Sequence, residues 1–155
     1  MNTLIAIGRP AALIAERSLE TAPAVIAIVE DQAAIAELLH DVLDDAGYLP
    51  IVVPEPEAAV ETIKRTRAEI VLLDIMMPRR NGWEVLEDLR ADSATVEVPV
   101  VLTSAVYDRI GRRPLPIGGP IRFAAKPFDI SDLLGTIEAL IKRHVRPLAS
   151  GVLHD

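Results

Sequence analysis

Two spacings of apolar residues alternate along this chain. Short unbroken runs, Val25-Ile26-Ala27-Ile28-Val29, Ile70-Val71-Leu72-Leu73 and Pro99-Val100-Val101-Leu102, have the pattern of strands buried on both faces. Tyr48–Val53 and Ile121–Ala124 are shorter candidates of the same kind. Between them apolar residues recur every three or four positions, the period of a helix with one buried face. Ala34, Ile35, Leu38, Leu39, Val42 and Leu43 form the first such stripe, with Gly47 as its stop. Ala59, Val60 and Ile63 mark a second, ending near Arg67, and Val85, Leu86 and Leu89 a third, from about Gly82 to Ala91. Leu133, Leu134, Ile137, Leu140 and Ile141 mark a last helix to about Val145, with Asp129 or Ser131 as its cap. Strand and helix alternating in this way predict an α/β domain. Its core is a doubly wound five-stranded parallel sheet, with helices on both faces and right-handed crossovers.

The alternation falters once. A helix is due between the fourth and fifth strands, but Tyr107–Pro120 holds three prolines and three glycines. Each opposes a helix interior, by roughly 3 and 1 kcal/mol respectively. The expectation is one or two turns near residues 105–111 and then an irregular loop, a degraded fourth helix. Residues 1–23 also stand apart, with Pro10 opening a short helix to about Glu20 that carries Leu13, Ile14 and Leu19. The chain therefore divides into an extension, 1–23, one domain, 24–146, and a tail, 147–155.

Composition narrows the function. The length of 155 residues suits a single domain with a proper core, and with aromatics at 3% that core is built from Ala, Val, Ile and Leu. A net charge of −7 argues against non-specific nucleic-acid binding by the domain as a whole. With no DNA-binding domain legible after about residue 146, no direct DNA binding is expected, and output runs through protein contacts. There is no cysteine, which excludes disulfides, thiolate nucleophiles and cysteine metal sites, and three histidines make a histidine zinc site a poor reading. No stretch approaches the ~20 apolar residues of a membrane helix. The run Leu4–Ile7 ends at Gly8-Arg9-Pro10 without a preceding basic residue, a poor signal peptide, so the expected location is cytoplasmic and off the membrane.

In a parallel sheet every strand's carboxyl end lies on one edge, where ligands bind. Glu30-Asp31 follow the first strand, Asp74 the third, Ser104 the fourth and Lys126 the fifth. Carboxylates gathered at one edge repel unless a positive charge sits among them. A hard divalent cation such as Mg²⁺, bound through one or two carboxylates and water, answers that need. A lysine across the pocket and a hydroxyl beside it suit a phosphoryl group carried on one carboxylate.

From about Val25 to Arg143 the chain resembles a response-regulator receiver domain of the chemotaxis-regulator type. The resemblance rests on Glu30-Asp31, on Asp74 with Pro78 and Gly82 in DIMMPxxNGWEVL, on PVVLTSA with Ser104 in the hydroxyl position, and on Lys126-Pro127-Phe128. It implies the flavodoxin-like strand order 2-1-3-4-5. It also implies that Asp74 accepts a phosphoryl group from a histidine kinase or phosphotransfer protein. Asp31, Asp74 and the Met76 backbone carbonyl would bind Mg²⁺, with Glu30 holding one of its waters. Ser104 and Lys126 would contact the phosphoryl oxygens, and Phe123 falls at the aromatic switch position. Such a domain is a phosphoacceptor rather than an enzyme in the ordinary sense, with Mg²⁺-dependent self-phosphorylation and self-dephosphorylation. In the family the helix before the fifth strand belongs to the face that changes on phosphorylation and mediates dimerisation or partner docking. A homodimer is therefore one expectation, and a remodelled output face another.

Three rival readings differ in class. A haloacid-dehalogenase-type enzyme would place its general acid two residues after the nucleophile, and Met76 there has no proton to donate. A dinucleotide-binding domain needs a Gly-rich turn after the first strand, where this chain has Glu30-Asp31-Gln32. The stronger alternative is a phosphorylation-independent protein-interaction module on the same fold.

Overall fold

The computed structural model describes residues 22–105 and 114–145. Five strands, β1 (Val25–Val29), β2 (Leu49–Val53), β3 (Ile70–Asp74), β4 (Val100–Ser104) and β5 (Ile121–Ala125), form one parallel sheet in the order β2-β1-β3-β4-β5. This is the strand order the resemblance implied. Four helices cover its faces: α1 (Ala33–Asp45), α2 (Ala59–Thr66), α3 (Gly82–Ala91) and α4 (Ile130–Val145). The expected helix within residues 1–23, the turns near 105–111 and the tail from 147 lie outside the described residues, apart from residues 22, 23 and 105. Residues 114–120, where a fourth helix would end, are irregular, as the prolines and glycines require.

Both faces of the sheet are dry. On one, Ala27, Val29, Val71, Leu73, Val100 and Leu102 pack under Ala59, Ile63, Val85, Leu86 and Leu89 of α2 and α3. On the other, Ile26, Ile28, Ile70, Leu72 and Val101 pack under Leu39 and Leu43 of α1 and Leu133, Ile137 and Leu140 of α4. Alternate residues of one strand thus enter opposite layers, which is why β1, β3 and β4 are continuous apolar runs. A one-residue slip of β3 would exchange its two layers and carry Asp74 out of register with its partner Thr103.

The helix ends follow local chemistry. α1 closes in a Schellman motif: the Tyr48 N–H donates to the Leu43 carbonyl and the Gly47 N–H to that of Asp44, with Gly47 at a φ of 91°. α3 opens on Asn81, whose side-chain oxygen accepts the Glu84 N–H at 3.0 Å. Of the two candidate caps for α4, Asp129 acts, its Oδ1 accepting the Asp132 N–H at 2.9 Å. The segment before α2 begins as a single 3₁₀ turn at Pro56–Ala58, a departure from the continuous helix expected there. Pro56 fits the first position of such a turn because its missing N–H would have no partner there. Among the described residues, no helix is long and apolar enough to cross a membrane.

Candidate functional site

Parallel pairing brings the carboxyl ends of β1, β3, β4 and β5 to one edge, and the predicted residues meet there. Glu30 directly follows β1 and Asp31 comes next, Asp74 is the last residue of β3, Ser104 is the last of β4, and Lys126 directly follows β5. Carboxylate oxygens of Glu30, Asp31 and Asp74 lie within 4.8 Å of one another. Glu30 and Asp74 are each only 2% exposed, so their charges are removed from water and need compensation from within the protein.

Lys126 supplies part of it. Its Nζ lies 3.3 Å from a Glu30 carboxylate oxygen and 3.3 Å from Asp74 Oδ1, so one ammonium bridges both acids. The Met76 N–H donates to the same Asp74 Oδ1 at 3.0 Å, while the Met76 side chain points out, 63% exposed. A backbone bond from the Lys126 N–H to the Ser104 carbonyl, at 2.9 Å, joins the ends of β4 and β5 and fixes the lysine beside the hydroxyl residue. Ser104 itself is buried. The Lys126–Pro127 peptide is cis.

One cation against three carboxylates leaves the edge short of positive charge. Burial pushes the Glu30 carboxyl up to about 8, and its hydrogen bond to Asp74 and the Asp74 charge add to the effect, while Lys126 opposes it. Asp31 Oδ1 is buried with no hydrogen-bond partner. An orphaned carboxylate oxygen next to a carboxyl that resists ionisation, in an all-oxygen donor set, fits a hard divalent cation.

Phe123 is half-buried in β5, paired in register with Leu102 and packed against the core layer under α2 and α3. It contributes no polar group to the acidic edge.

Two features of the site escaped the sequence. Gly82 enters through close approach: a Cβ there would sit 2.3 Å from the Asp74 carbonyl oxygen and 2.8 Å from Ile75 Cα, so the start of α3 presses on the backbone that carries Asp74. The Gly82 N–H donates to the Ile75 carbonyl at 3.0 Å and locks that approach. The signal available was Asn81-Gly82-Trp83-Glu84, a capping box with a glycine after its cap. The second is Arg90, buried on α3 far from the edge. Its guanidinium donates to the carbonyls of Thr95, Val98 and Gly119 at 3.3, 2.8 and 3.1 Å, clasping the segments that lead into β4 and β5. Nothing local in the sequence marks it, since all three acceptors are backbone atoms.

The response regulator receiver domain family matches residues 26–138. The phosphate regulon transcriptional regulatory protein PhoB of Escherichia coli (strain K12) is 31% identical over 125 residues, which cover 80% of this chain and 54% of that protein. The DNA-binding response regulator MtrA of Mycobacterium tuberculosis (strain H37Rv) is 33% identical over 119 residues, 77% of this chain and 51% of that protein. The chain thus spans about half the length of the curated relatives it matches. Among solved structures, the receiver domain of a sensor histidine kinase from Pseudomonas aeruginosa PAO1, with a magnesium ion coordinated in its active site cleft, aligns with a TM-score of 0.70. It is 25% identical, and the alignment covers 78% of this chain and 99% of that one. Vibrio cholerae chemotaxis protein CheY4 shares the fold at a TM-score of 0.68 and 23% identity, over 77% and 99% of the two chains.

These relatives correct one expectation. The absence of direct DNA binding, inferred from net charge and from the residues after 146, does not stand, because a relative matched over this region is itself a DNA-binding response regulator. The charge of a receiver says little here, since phosphate contacts are made by whichever module carries the basic surface. The match at residues 26–138 takes in the five strands but for Val25, the three clustered carboxylates and the lysine that bridges two of them, and the chain belongs to the response regulator receiver domain family.

Proposed function

We propose that this chain is a phosphoacceptor domain of a two-component system, taking a phosphoryl group from a histidine kinase or phosphotransfer protein onto Asp74. The observation that supports the reading best is Lys126 held 3.3 Å from both Glu30 and Asp74, beside the unpartnered Asp31 oxygen. A carboxylate kept next to an ammonium and a set of oxygens suited to a cation is arranged to gain negative charge.

In this reading an Asp74 oxygen attacks phosphorus, the bond to the donor's imidazole nitrogen breaks, and the electron pair leaves on that nitrogen. Lys126 exchanges its contact with Asp74 for a phosphoryl oxygen, and the Ser104 hydroxyl donates to another. Asp31, Asp74 and the Met76 carbonyl would hold Mg²⁺, with Glu30 reaching it through water, and the bound ion offsets charge on the phosphoryl oxygens. Glu30, whose carboxyl burial pushes upward, would ionise more readily once that positive charge is supplied. Phe123 follows Ser104: as the hydroxyl moves toward the phosphoryl group it vacates space at the end of β4, and the half-buried ring turns inward. The output is this shift between two packings, read by a downstream partner.

The test is intact mass after incubation with acetyl phosphate and Mg²⁺. The reading expects one phosphoryl adduct in the wild type, none in Asp74→Asn, and none when the metal is chelated. An equal adduct in Asp74→Asn would refute the assignment of the acceptor, and an undiminished adduct under chelation would refute the metal set.

A further inference from the structure

A cavity of about 370 Å³ opens beside the acidic cluster, between Asp31, the turn Pro54-Glu55-Pro56, and Met77-Pro78-Arg79 of the loop after β3. Its wall combines three chemistries. Asp31 belongs to the carboxylate cluster, so the cavity adjoins the place where phosphorus would be held. Pro54, Pro56, Met77 and Pro78 give an apolar surface that loses little freedom when covered, since prolines have few rotamers to lose. Arg79 is the cation among the lining residues, and Glu55, an exposed carboxylate, lines the same wall.

The two adjacent arginines are used differently. Arg80 is engaged along α3, paired with Asp88 and with Glu84. Arg79 is exposed and forms no salt bridge with another described residue. Its own contribution to folding is therefore small, while it lines the cavity that Asp31 of the acidic cluster also lines.

We propose, building on Asp74 as phosphoacceptor, that Arg79 determines specificity among small phosphodonors, favouring acyl phosphates, whose leaving group departs as a carboxylate. When an Asp74 oxygen attacks the phosphorus of acetyl phosphate, a P–O bond forms and the bond from phosphorus to the acyl oxygen breaks. The electron pair stays on that oxygen, and acetate leaves with a full negative charge. A guanidinium on the exit side stabilises that charge as it develops, and the proline-lined wall accommodates the methyl group. With phosphoramidate the same attack breaks a P–N bond, and the nitrogen, protonated in the donor, leaves as neutral ammonia. No negative charge develops on that leaving group, so Arg79 has nothing to stabilise.

The experiment measures phosphorylation rates of the full chain with acetyl phosphate and with phosphoramidate, in saturating Mg²⁺. The wild type is compared with Arg79→Ala, Arg79→Lys and Asp74→Asn, and a matching urea midpoint confirms that each variant is folded. Arg79→Ala is expected to slow the acetyl phosphate reaction about tenfold, between the small worth of an exposed ion pair and that of a buried oxyanion donor. The phosphoramidate rate should stay within about twofold, and Arg79→Lys should recover most of the acetyl phosphate rate, because charge rather than fork geometry is at work. In ~1 M salt, where the Debye length is ~3 Å, the difference between donors should shrink. An Arg79→Ala rate that is unchanged with both donors, or that falls equally with both, overturns this inference and leaves the phosphoacceptor reading intact. Wild type that takes a phosphoryl group from neither donor overturns both, as does labelling that survives Asp74→Asn.

Discussion

Replacing Gly82 by alanine tests how the backbone around Asp74 is held. The three atoms nearest to a Cβ at this position would all be backbone, the Asp74 carbonyl oxygen at 2.3 Å, Ile75 Cα at 2.8 Å and the Asp74 carbonyl carbon at 2.9 Å. Real Cβ atoms essentially never come nearer than 3.0 Å, so α3 and the end of β3 must separate by about 0.7 Å or more, with no flexible side chain to absorb it. Overpacking of this kind costs about 1–3 kcal/mol, offset in part by the helix propensity that alanine gains over glycine, at most ~1 kcal/mol. The net expectation is a loss of about 1–2 kcal/mol in urea unfolding, with an unchanged m-value. The same shift moves Asp74 against Lys126, whose 3.3 Å contact has little slack, so phosphorylation by acetyl phosphate should slow as well. Gly135→Ala in α4 is the control: a Cβ there meets nothing within 4 Å, and the substitution should stabilise by roughly 0.5–1 kcal/mol. If Gly82→Ala matched Gly135→Ala in sign and left phosphorylation unchanged, the close approach of α3 to Asp74 would be wrong.

Three further outcomes are expected from the structure. Glu30 has its folded pKa raised from an ordinary 4.5 to about 8, so between those values the folded state binds a proton that the unfolded state has released. Stability of the metal-free protein should therefore be highest from this group below about pH 4.5 and fall as pH rises through about 8; urea midpoints across that range in chelator should decline, and Glu30→Gln or excess Mg²⁺ should flatten the trend, whereas a rising curve would contradict the assignment. Arg90→Met takes a donor from the Val98 and Gly119 carbonyls, and one of two from Thr95, whose carbonyl keeps the Val98 N–H, and should cost about 2–3 kcal/mol in chemical denaturation; Arg90→Lys, unable to span all three, should recover only part of it. Arg67 ends α2 in the left-handed region at a φ of 53°, so Arg67→Gly should raise stability by about 0.5–1 kcal/mol; a loss would indicate that the side chain carries an interaction worth more than the strain.

The sheet was legible because its strands are buried on both sides. Val25–Val29 and Ile70–Leu73 could be read as strands without knowing their partners, and the position of Asp74 at a strand's carboxyl end followed at once. The polar edge was legible for the same reason, since parallel pairing sends Glu30, Asp31, Ser104 and Lys126 to one place whatever the loops do. What could not be read is what depends on distance between segments remote in sequence. That Lys126 bridges Glu30 and Asp74 needs the separation of β1 and β5 across β3 and β4, and Arg90 binds carbonyls that carry no side-chain signature. Gly82 was visible as a helix start, but the nearness of the Asp74 carbonyl that excludes any side chain there is a tertiary fact. The choice of Asp129 over Ser131 as the cap of α4 turned on where its first turn began, and apolar periodicity fixes a helix terminus only to within a residue or two. The expectation about DNA failed for a different reason, because surface charge on one domain carries no information about a module outside it.

The most direct test of the central claim is to locate the phosphoryl group. The phosphorylated chain would be reduced with borohydride, which converts an aspartyl phosphate to homoserine, then digested and sequenced by mass spectrometry. The structure predicts homoserine at position 74 and at no other aspartate, dependent on Mg²⁺ during labelling. Homoserine at position 31, or phosphorylated protein with no reducible acyl phosphate, would contradict it.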